Sequence, residues 1–108
     1  SLHLQDWLKA TPDLEDCTDL MRRVGYEIRM MHNANINHVD LQIRNILVDK
    51  NKKIYIIDFD NATIEEGKES FFKDPKSDNL TRLQRSFDKN GIPFTLFNAI
   101  WQGYGTRI

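Results

Sequence analysis

The spacing of three oxygen-bearing side chains constrains this chain more than any other feature of its sequence. Asn45 follows Asp40 by five residues and precedes Asp58 by thirteen, and two β-branched runs, ILVD and KIYIIDF, lie around and between them. The stretch DKNKK has turn chemistry, with Asn51 as the residue that tolerates a left-handed conformation, so the two runs form a hairpin. Antiparallel pairing then brings Asn45 and Asp58 to one end of the hairpin, with Asp40 in the loop leading into it.

This spacing predicts a metal site. Two carboxylates and one amide supply the hard oxygen ligands that magnesium prefers. Each residue alone could be structural, since Asp40 could cap a turn, Asn45 could bond its own backbone and Asp58 could end a strand. Turn chemistry does not require all three at this joint spacing, however, so the functional interpretation is the stronger one.

Helical patterns surround the hairpin. A short first helix has Ser1 as its N-cap, and a long second helix has Thr11 as its cap and Pro12 in its first turn. A polar loop over residues 65–78 precedes a third helix capped by Ser77, and a last helix follows NGIP. The predicted inward-facing residues are Leu4, Trp7, Leu8, Leu14, Cys17, Leu20, Met21, Val24, Ile28, Met31, Leu80, Leu83, Phe87, Phe94, Phe97, Ile100 and Trp101. The pattern predicts one mostly helical α+β domain over residues 1–108 with a minimal sheet.

The composition of the chain limits the classes of function that it can have. The 15 basic and 16 acidic residues give a net charge of -1, which provides no general attraction for nucleic acid. The one cysteine, Cys17, excludes an internal disulfide and fits a reducing compartment, where we expect it to pack on a helix face. The apolar runs are too short to span a membrane, so the chain reads as cytosolic.

The residues HVDLQIRN and DFD resemble the protein-kinase signature, in which H-x-D-L-x-x-x-N precedes D-F-G. The resemblance implies that Asp40 accepts or orients the proton of an acceptor hydroxyl, and that Asn45 and Asp58 hold magnesium on the phosphates of ATP. Leu47 matches the floor of the adenine pocket, although simple core packing explains it equally well. His38 is expected to scaffold the loop, because Asp40 already fills the base position. His32 is expected to be solvated or bonded to backbone.

Three differences separate the chain from eukaryotic protein kinases. Gln42 stands where serine/threonine kinases usually have lysine, Asp60 replaces the glycine of D-F-G, and no A-P-E motif follows the polar loop. These differences favour a kinase that acts on a small molecule or a sugar.

The pattern H-x-D-L, N-I-L-x-D and I-Y-I-I-D-F-D, followed by NLTRLQRSFDK and WQGY, resembles the 3-deoxy-D-manno-octulosonic acid (Kdo) kinase family of lipopolysaccharide synthesis. The likeness extends from about Leu2 to Tyr104, and D-F-D is usual in that family. It implies ATP-dependent phosphorylation of a Kdo hydroxyl on a lipid A precursor, by a protein peripheral to the inner face of the cytoplasmic membrane of a Gram-negative bacterium.

Basic residues near the motif have two interpretations. Arg82 and Arg85 lie one helical turn apart, where they could face an anionic acceptor or phospholipid headgroups, or bond nearby carboxylates on a solvated face. Arg44 could contact the acceptor or form a structural pair.

A kinase also needs a glycine-rich loop over the phosphates and a strand lysine, and neither motif is present in these residues. We therefore expect the chain to be the C-terminal lobe of a kinase-like domain, inactive without its N-terminal lobe. Two alternatives remain. One is a small-molecule kinase of the aminoglycoside or choline type, against which the arginine-bearing helix argues. The other is a pseudokinase scaffold, for which Asp40, Asn45 and Asp58 would have no chemical purpose.

Overall fold

The structure is a computed structural model that describes residues 1–59, 63–64 and 75–105. Asp60 and residues 65–74 of the predicted polar loop lie outside that part of the chain. A short 3-10 helix, Ile43–Asn45, lies between the second and third strands. The other elements, in chain order, are β1 (Leu2–His3), α1 (Leu4–Ala10), α2 (Leu14–Asn33), β2 (Ile36–Asn37), β3 (Ile46–Val48), β4 (Ile54–Ile56), β5 (Thr63–Ile64), α3 (Pro75–Lys89) and α4 (Phe94–Tyr104).

The caps of the first two helices differ from the prediction. His3, not Ser1, precedes α1, because Leu2 and His3 pair with β3 as a strand. Asp13, not Thr11, caps α2, and its carboxylate accepts the backbone N–H groups of Glu15 and Asp16 at 2.8 and 3.2 Å. Thr11 instead ends α1, where its N–H bonds the Leu8 carbonyl oxygen.

The central helix α2 buries the predicted apolar stripe. Its buried residues are Cys17, Leu20, Met21, Val24, Gly25, Ile28, Met31 and His32. Leu14 was predicted to face inward but its side chain is 67% exposed, because it lies in the first turn beyond the edge of the core. The stripe forms the centre of one hydrophobic core to which the sheet and the other helices contribute.

The predicted hairpin is confirmed, and it is part of a larger sheet. Strands β3 and β4 pair antiparallel with Ile46 opposite Ile56, and β1 pairs antiparallel with the other edge of β3. A second sheet joins β2 to β5. The sequence analysis missed β1, β2 and β5, because strands of two residues are too short to show alternation.

The hairpin turn is organised by Asp49. Its Oδ1 accepts the backbone N–H groups of Lys53 at 2.9 Å and Asn51 at 2.8 Å. The bond from Lys53, ahead of the other contacts, holds the pKa of the Asp49 carboxyl below its usual range. The left-handed residue is Lys52, with φ +63°, and not Asn51, because the turn closes one residue later than predicted.

Helix α3 begins at Pro75, so the predicted loop ends earlier than expected and Ser77 lies inside the helix instead of capping it. Its apolar residues Leu80, Leu83 and Phe87 are buried, as predicted.

Helix α4 faces the core with a different side from the one predicted. Phe97 and Ile100 are buried as expected, but Phe94 and Trp101 are 56% and 41% exposed. Consecutive helical residues are rotated by about 100°, so Trp101 falls at the edge of the face that Ile100 buries. The buried side of α4 packs along α2 at Gly25 and Gly103, and it consists of Leu96, Phe97, Ala99, Ile100 and Gly103.

The helical majority with a small sheet confirms the predicted α+β class. Among the helices of the described residues, none combines the length and the apolar character required to cross a bilayer.

Candidate active site

The candidate site is built on residues 38–45, which we call the 38–45 loop, between β2 and β3. His38 and Leu41 are buried and anchor the loop, and the Leu41 N–H donates to the His38 carbonyl oxygen at 3.2 Å. Between these anchors Asp40 keeps its side chain 41% exposed. The loop therefore holds an accessible carboxylate on a backbone that is fixed from both sides.

Asn45 connects the 38–45 loop to the hairpin. Its Oδ1 accepts the Gln42 backbone N–H at 3.0 Å, and its carbonyl oxygen accepts the Ile57 N–H at 2.8 Å. Asp58 follows Ile57 directly, so Asn45 and Asp58 lie at the same end of the hairpin, as the spacing predicts. The Asn45 side chain is 3% exposed, which fixes its orientation.

Asp58 has an unusual backbone conformation. Its φ of +66° lies in the left-handed region, which costs a non-glycine residue roughly 1–2 kcal/mol. The residue is exposed, and the ring of Phe59 after it lies 4.8 Å from the ring of His38, tilted by 58°. The conformation turns the chain sharply at the end of the hairpin and leaves the Asp58 carboxylate accessible there.

His38 links the two segments that carry the acids. Its Nε2 lies 2.7 Å from the Ile57 carbonyl oxygen, and because a carbonyl only accepts, Nε2 carries the proton. Its Nδ1 is buried without a hydrogen-bond partner among the described residues. This geometry fits the scaffolding role expected for His38, since its ring bonds the backbone beside Asp58.

A buried polar network holds the 38–45 loop from behind, and the sequence analysis missed it. Asn79 on α3 accepts the His38 backbone N–H at 3.1 Å and donates to the Asn37 Oδ1 at 2.6 Å. The same Asn79 oxygen lies 3.2 Å from His32 Nε2, and His32 Nδ1 lies 2.7 Å from the Tyr104 hydroxyl. The prediction that His32 is solvated or backbone-bonded is wrong, since its ring is 2% exposed and bonds two side chains.

A second contact from α3 holds the loop further along. Ser86 Oγ accepts the Ile43 backbone N–H at 2.9 Å and donates to the Leu83 carbonyl oxygen at 2.7 Å. One sequence signal could have found both contacts. Asn79 and Ser86 are polar residues four before and three after Leu83, on the face that the apolar stripe buries.

The predicted basic residues lie at different places. Arg82 Nη1 is 3.6 Å from Asp40 Oδ1, with side chains 49% and 41% exposed. Arg85 is exposed on α3, and Arg44 is exposed in the 3-10 helix. Leu47 lies half-buried in β3, opposite Tyr55. Asp60 falls outside the described residues.

Asn45 and Asp58 are the described residues that could hold a magnesium ion, which would also need water and phosphate ligands. Among the residues that the structure describes, no group of three histidine, cysteine, aspartate or glutamate side chains could hold a metal. Asn45 Oδ1 retains a second lone pair beside its bond to Gln42, and Asp58 offers an exposed carboxylate. One or two protein oxygens with substrate phosphates are the usual ligands of magnesium in such sites.

Comparison with known proteins identifies the family. Residues 1–104 match the model of the lipopolysaccharide kinase (Kdo/WaaP) family, and the chain belongs to that family. A 3-deoxy-D-manno-octulosonic acid kinase from Vibrio cholerae serotype O1 is 49% identical over 71 residues, covering 66% of this chain and 28% of that protein. The enzyme of the same name from Vibrio vulnificus strain CMCP6 is 38% identical over 95 residues, covering 82% of this chain and 38% of that protein. This chain therefore spans less than half the length of either relative.

Proposed function

We propose that this chain is the acceptor- and metal-binding part of an ATP-dependent kinase that phosphorylates a hydroxyl of a Kdo sugar on a lipid A precursor. The observation that carries the proposal is the bond from the Ile57 N–H to the Asn45 carbonyl oxygen. It joins the segment containing Asp58 to the 38–45 loop, in a chain of a lipopolysaccharide kinase family. Fold likeness alone would not fix the activity, but relatives over most of this chain carry the Kdo kinase name.

The residues take the roles that phosphoryl transfer requires. Asp40 accepts the proton of the sugar hydroxyl as its oxygen bonds to the γ-phosphorus of ATP, and the bond to the leaving ADP oxygen breaks. Asn45 and Asp58 would hold a magnesium ion, which supplies neutralisation of the phosphate charge when bound. Leu47 would contact the adenine from below. His38 keeps the segments carrying Asp40 and Asp58 together through Ile57.

We further propose that this chain is the C-terminal lobe of a protein-kinase-like domain, and that another part of the full-length protein supplies the lobe that covers the phosphates. The acceptor is a lipid, so the protein acts at the inner face of the cytoplasmic membrane of a Gram-negative bacterium as a peripheral protein.

The test uses the full-length protein with ATP, magnesium and a Kdo-bearing lipid A precursor. Mass spectrometry of the acceptor should show the addition of one phosphate. The Asp40→Asn variant should lose at least about 1,000-fold of the rate, since both the base and its charge are removed. Asp88→Asn, the same change at an exposed position on α3, is the matched control and should keep the wild-type rate.

Two outcomes would contradict the proposal. Phosphorylation of choline or an aminoglycoside in place of the Kdo acceptor would assign the chain to another class of small-molecule kinase. A folded protein that binds its acceptor but neither binds nor hydrolyses magnesium–ATP would be a scaffold.

A further inference from the structure

Three polar residues of α3, Asn79, Arg82 and Ser86, contact the 38–45 loop, and they differ in burial. Asn79 and Ser86 are 2% and 9% exposed, and each accepts a backbone N–H of the 38–45 loop. Arg82 lies between them along the helix, yet its side chain is 49% exposed. The outer two residues therefore fix the helix against the loop, and the middle one faces solvent beside Asp40.

The contact between Arg82 and Asp40 contributes little to stability. The Nη1–Oδ1 distance of 3.6 Å exceeds that of a good hydrogen bond, and both side chains are about half exposed. Such surface ion pairs contribute roughly 0–1 kcal/mol. The guanidinium has five N–H donors in a planar fork, and one weak contact with Asp40 does not use that capacity.

An acceptor that gives its hydroxyl proton to Asp40 must lie within reach of Arg82. The relatives are named as kinases of an octulosonic acid, a sugar that carries a carboxylate as well as hydroxyl groups. Arginine binds a carboxylate through two parallel N–H bonds, and it does so with more geometric specificity than lysine. The positions of Arg82 and Asp40 suit a molecule that presents an anion and a hydroxyl side by side.

We propose that Arg82 is the specificity-determining residue of the site. It binds the carboxylate of the acidic sugar and thereby places the neighbouring hydroxyl against Asp40. This inference rests on the proposed function and adds what the site recognises, a hydroxyl next to a carboxylate. The buried bonds made by Asn79 and Ser86 hold Arg82 and Asp40 at a fixed separation before the acceptor arrives.

The alternative is that Arg82 only steadies Asp40. The two roles predict different responses to the charge of the acceptor. If Arg82 binds the carboxylate, removal of either partner abolishes the benefit of the other, so the two changes are not additive. If Arg82 steadies Asp40, its loss slows every acceptor by the same factor.

The experiment measures kcat/KM of the full-length protein for a Kdo-bearing acceptor and for its methyl ester, in which the carboxylate is neutral. The wild-type protein should prefer the acid by about 10- to 100-fold, the effect of a charge-assisted hydrogen bond. Arg82→Gln should lower kcat/KM for the acid and leave acid and ester within about 3-fold of each other. Arg82→Lys should recover part of the preference, because it restores the charge without the planar fork.

Lys89→Gln is the matched control, because it removes a positive charge from the exposed end of the same helix. This variant should keep the wild-type preference for the acid. An undiminished preference in a folded Arg82→Gln protein would overturn the inference while leaving the proposed function intact. Failure of the wild-type protein to phosphorylate either acceptor would overturn the proposed function and this inference with it.

Discussion

Cys17 shows how burial, with help from nearby charges, sets the chemistry of a residue in this chain. It lies in the apolar stripe of α2, and its Sγ is 3.3 Å from the Thr11 carbonyl oxygen. Burial, followed by the nearby charges of Asp16 and Asp13, raises the pKa of its thiol. The thiol therefore stays protonated in the folded protein over a wider pH range than in the unfolded chain, and a protonated thiol is a poor nucleophile.

We therefore predict that Cys17 resists alkylation in the native protein. Iodoacetamide should modify the Cys17 peptide far more slowly in folded protein than in urea-unfolded protein at pH 8, as measured by mass spectrometry. Because the folded-state pKa is raised, the contribution of the thiol to stability is complete below its unfolded pKa. This contribution is lost as the pH rises toward the folded value. Equal rates in both states would show that the site is open.

Some residues of the candidate site could be predicted from the sequence and others could not, depending on how far along the chain their partners lie. Asp40, Asn45 and Asp58 could be predicted because a hairpin converts sequence spacing into proximity. The left-handed φ of Asp58 could not, since it depends on the path of the chain beyond the end of β4. Asn79 was also missed, because its partners His32 and His38 are more than forty residues away in the sequence. Such bonds leave no local pattern beyond a polar residue on a buried face.

At the scale of elements, α3 acts as the support of the 38–45 loop. Its side chains bond the loop backbone at His38 and at Ile43, on either side of Asp40. The backbone of a loop without such partners would leave buried N–H groups unsatisfied, at a cost of about 1–3 kcal/mol each. The helix thus holds the loop that carries the proposed base.

Substitution of Asn79 tests this support. Asn79→Ala leaves the His38 N–H and the Asn37 amide without their partner, so we expect kcat to fall about 10- to 100-fold through misplacement of Asp40. The KM for ATP should change by less than about 3-fold, because the partners of Asn79 are His32, Asn37 and His38, and none of these is proposed to bind the nucleotide or its metal. Asn79→Asp keeps an acceptor for the His38 N–H, and a rotated Asn37 amide can donate to it, so this variant should recover most of the rate.

The control for this series is Gln84→Ala, which shortens a half-buried polar side chain on the same helix. Steady-state kinetics of the full-length proteins measures the effect of each change on kcat. Unfolding in urea measures its effect on the free energy of unfolding. An Asn79→Ala protein that is less stable but has an unchanged kcat would show a structural role only.

At the scale of the whole molecule, the fold depends on the contact between α2 and α4. A Cβ atom on Gly25 would lie against the Ile100 carbonyl oxygen, and one on Gly103 would lie against the Arg22 carbonyl oxygen. The two backbones therefore meet directly, and side chains beyond the crossing bind across it. Arg22 Nε donates to Gln102 at 3.1 Å, and the Arg29 guanidinium lies 5.2 Å from the centre of the Tyr104 ring.

Each helix of this pair could be predicted from the periodicity of its own residues, but their contact could not. The sequence showed glycine within both helices without showing that the two would face each other. The wrong orientation predicted for Trp101 has the same origin, because α4 turns the side containing Gly103 toward α2. The local sequence determines which residues of a helix share an apolar face, whereas the packing of the whole core determines which helix that face contacts.

Gly25→Ala tests the crossing and, through it, the site. Alanine normally favours a helix over glycine by about 0.5–1 kcal/mol, so simple propensity predicts stabilisation. Here the added methyl group meets backbone atoms that cannot rotate away, and we expect a net loss of about 1–3 kcal/mol or more. Urea unfolding of the full-length protein measures this change. Because α2 carries His32 and α4 carries Tyr104, the displaced helices should also weaken the network behind the 38–45 loop and lower kcat.

Gly105→Ala is the matched control, since a Cβ there would have ordinary contact distances, with the Trp101 carbonyl oxygen nearest at 3.5 Å. Its free energy of unfolding should stay within about 0.5 kcal/mol of the wild-type value. If Gly25→Ala were as stable as Gly105→Ala, the two helices could not be in direct backbone contact. The hydrogen bonds that lead from Tyr104 through His32 and Asn79 to the 38–45 loop would then not depend on the helix crossing.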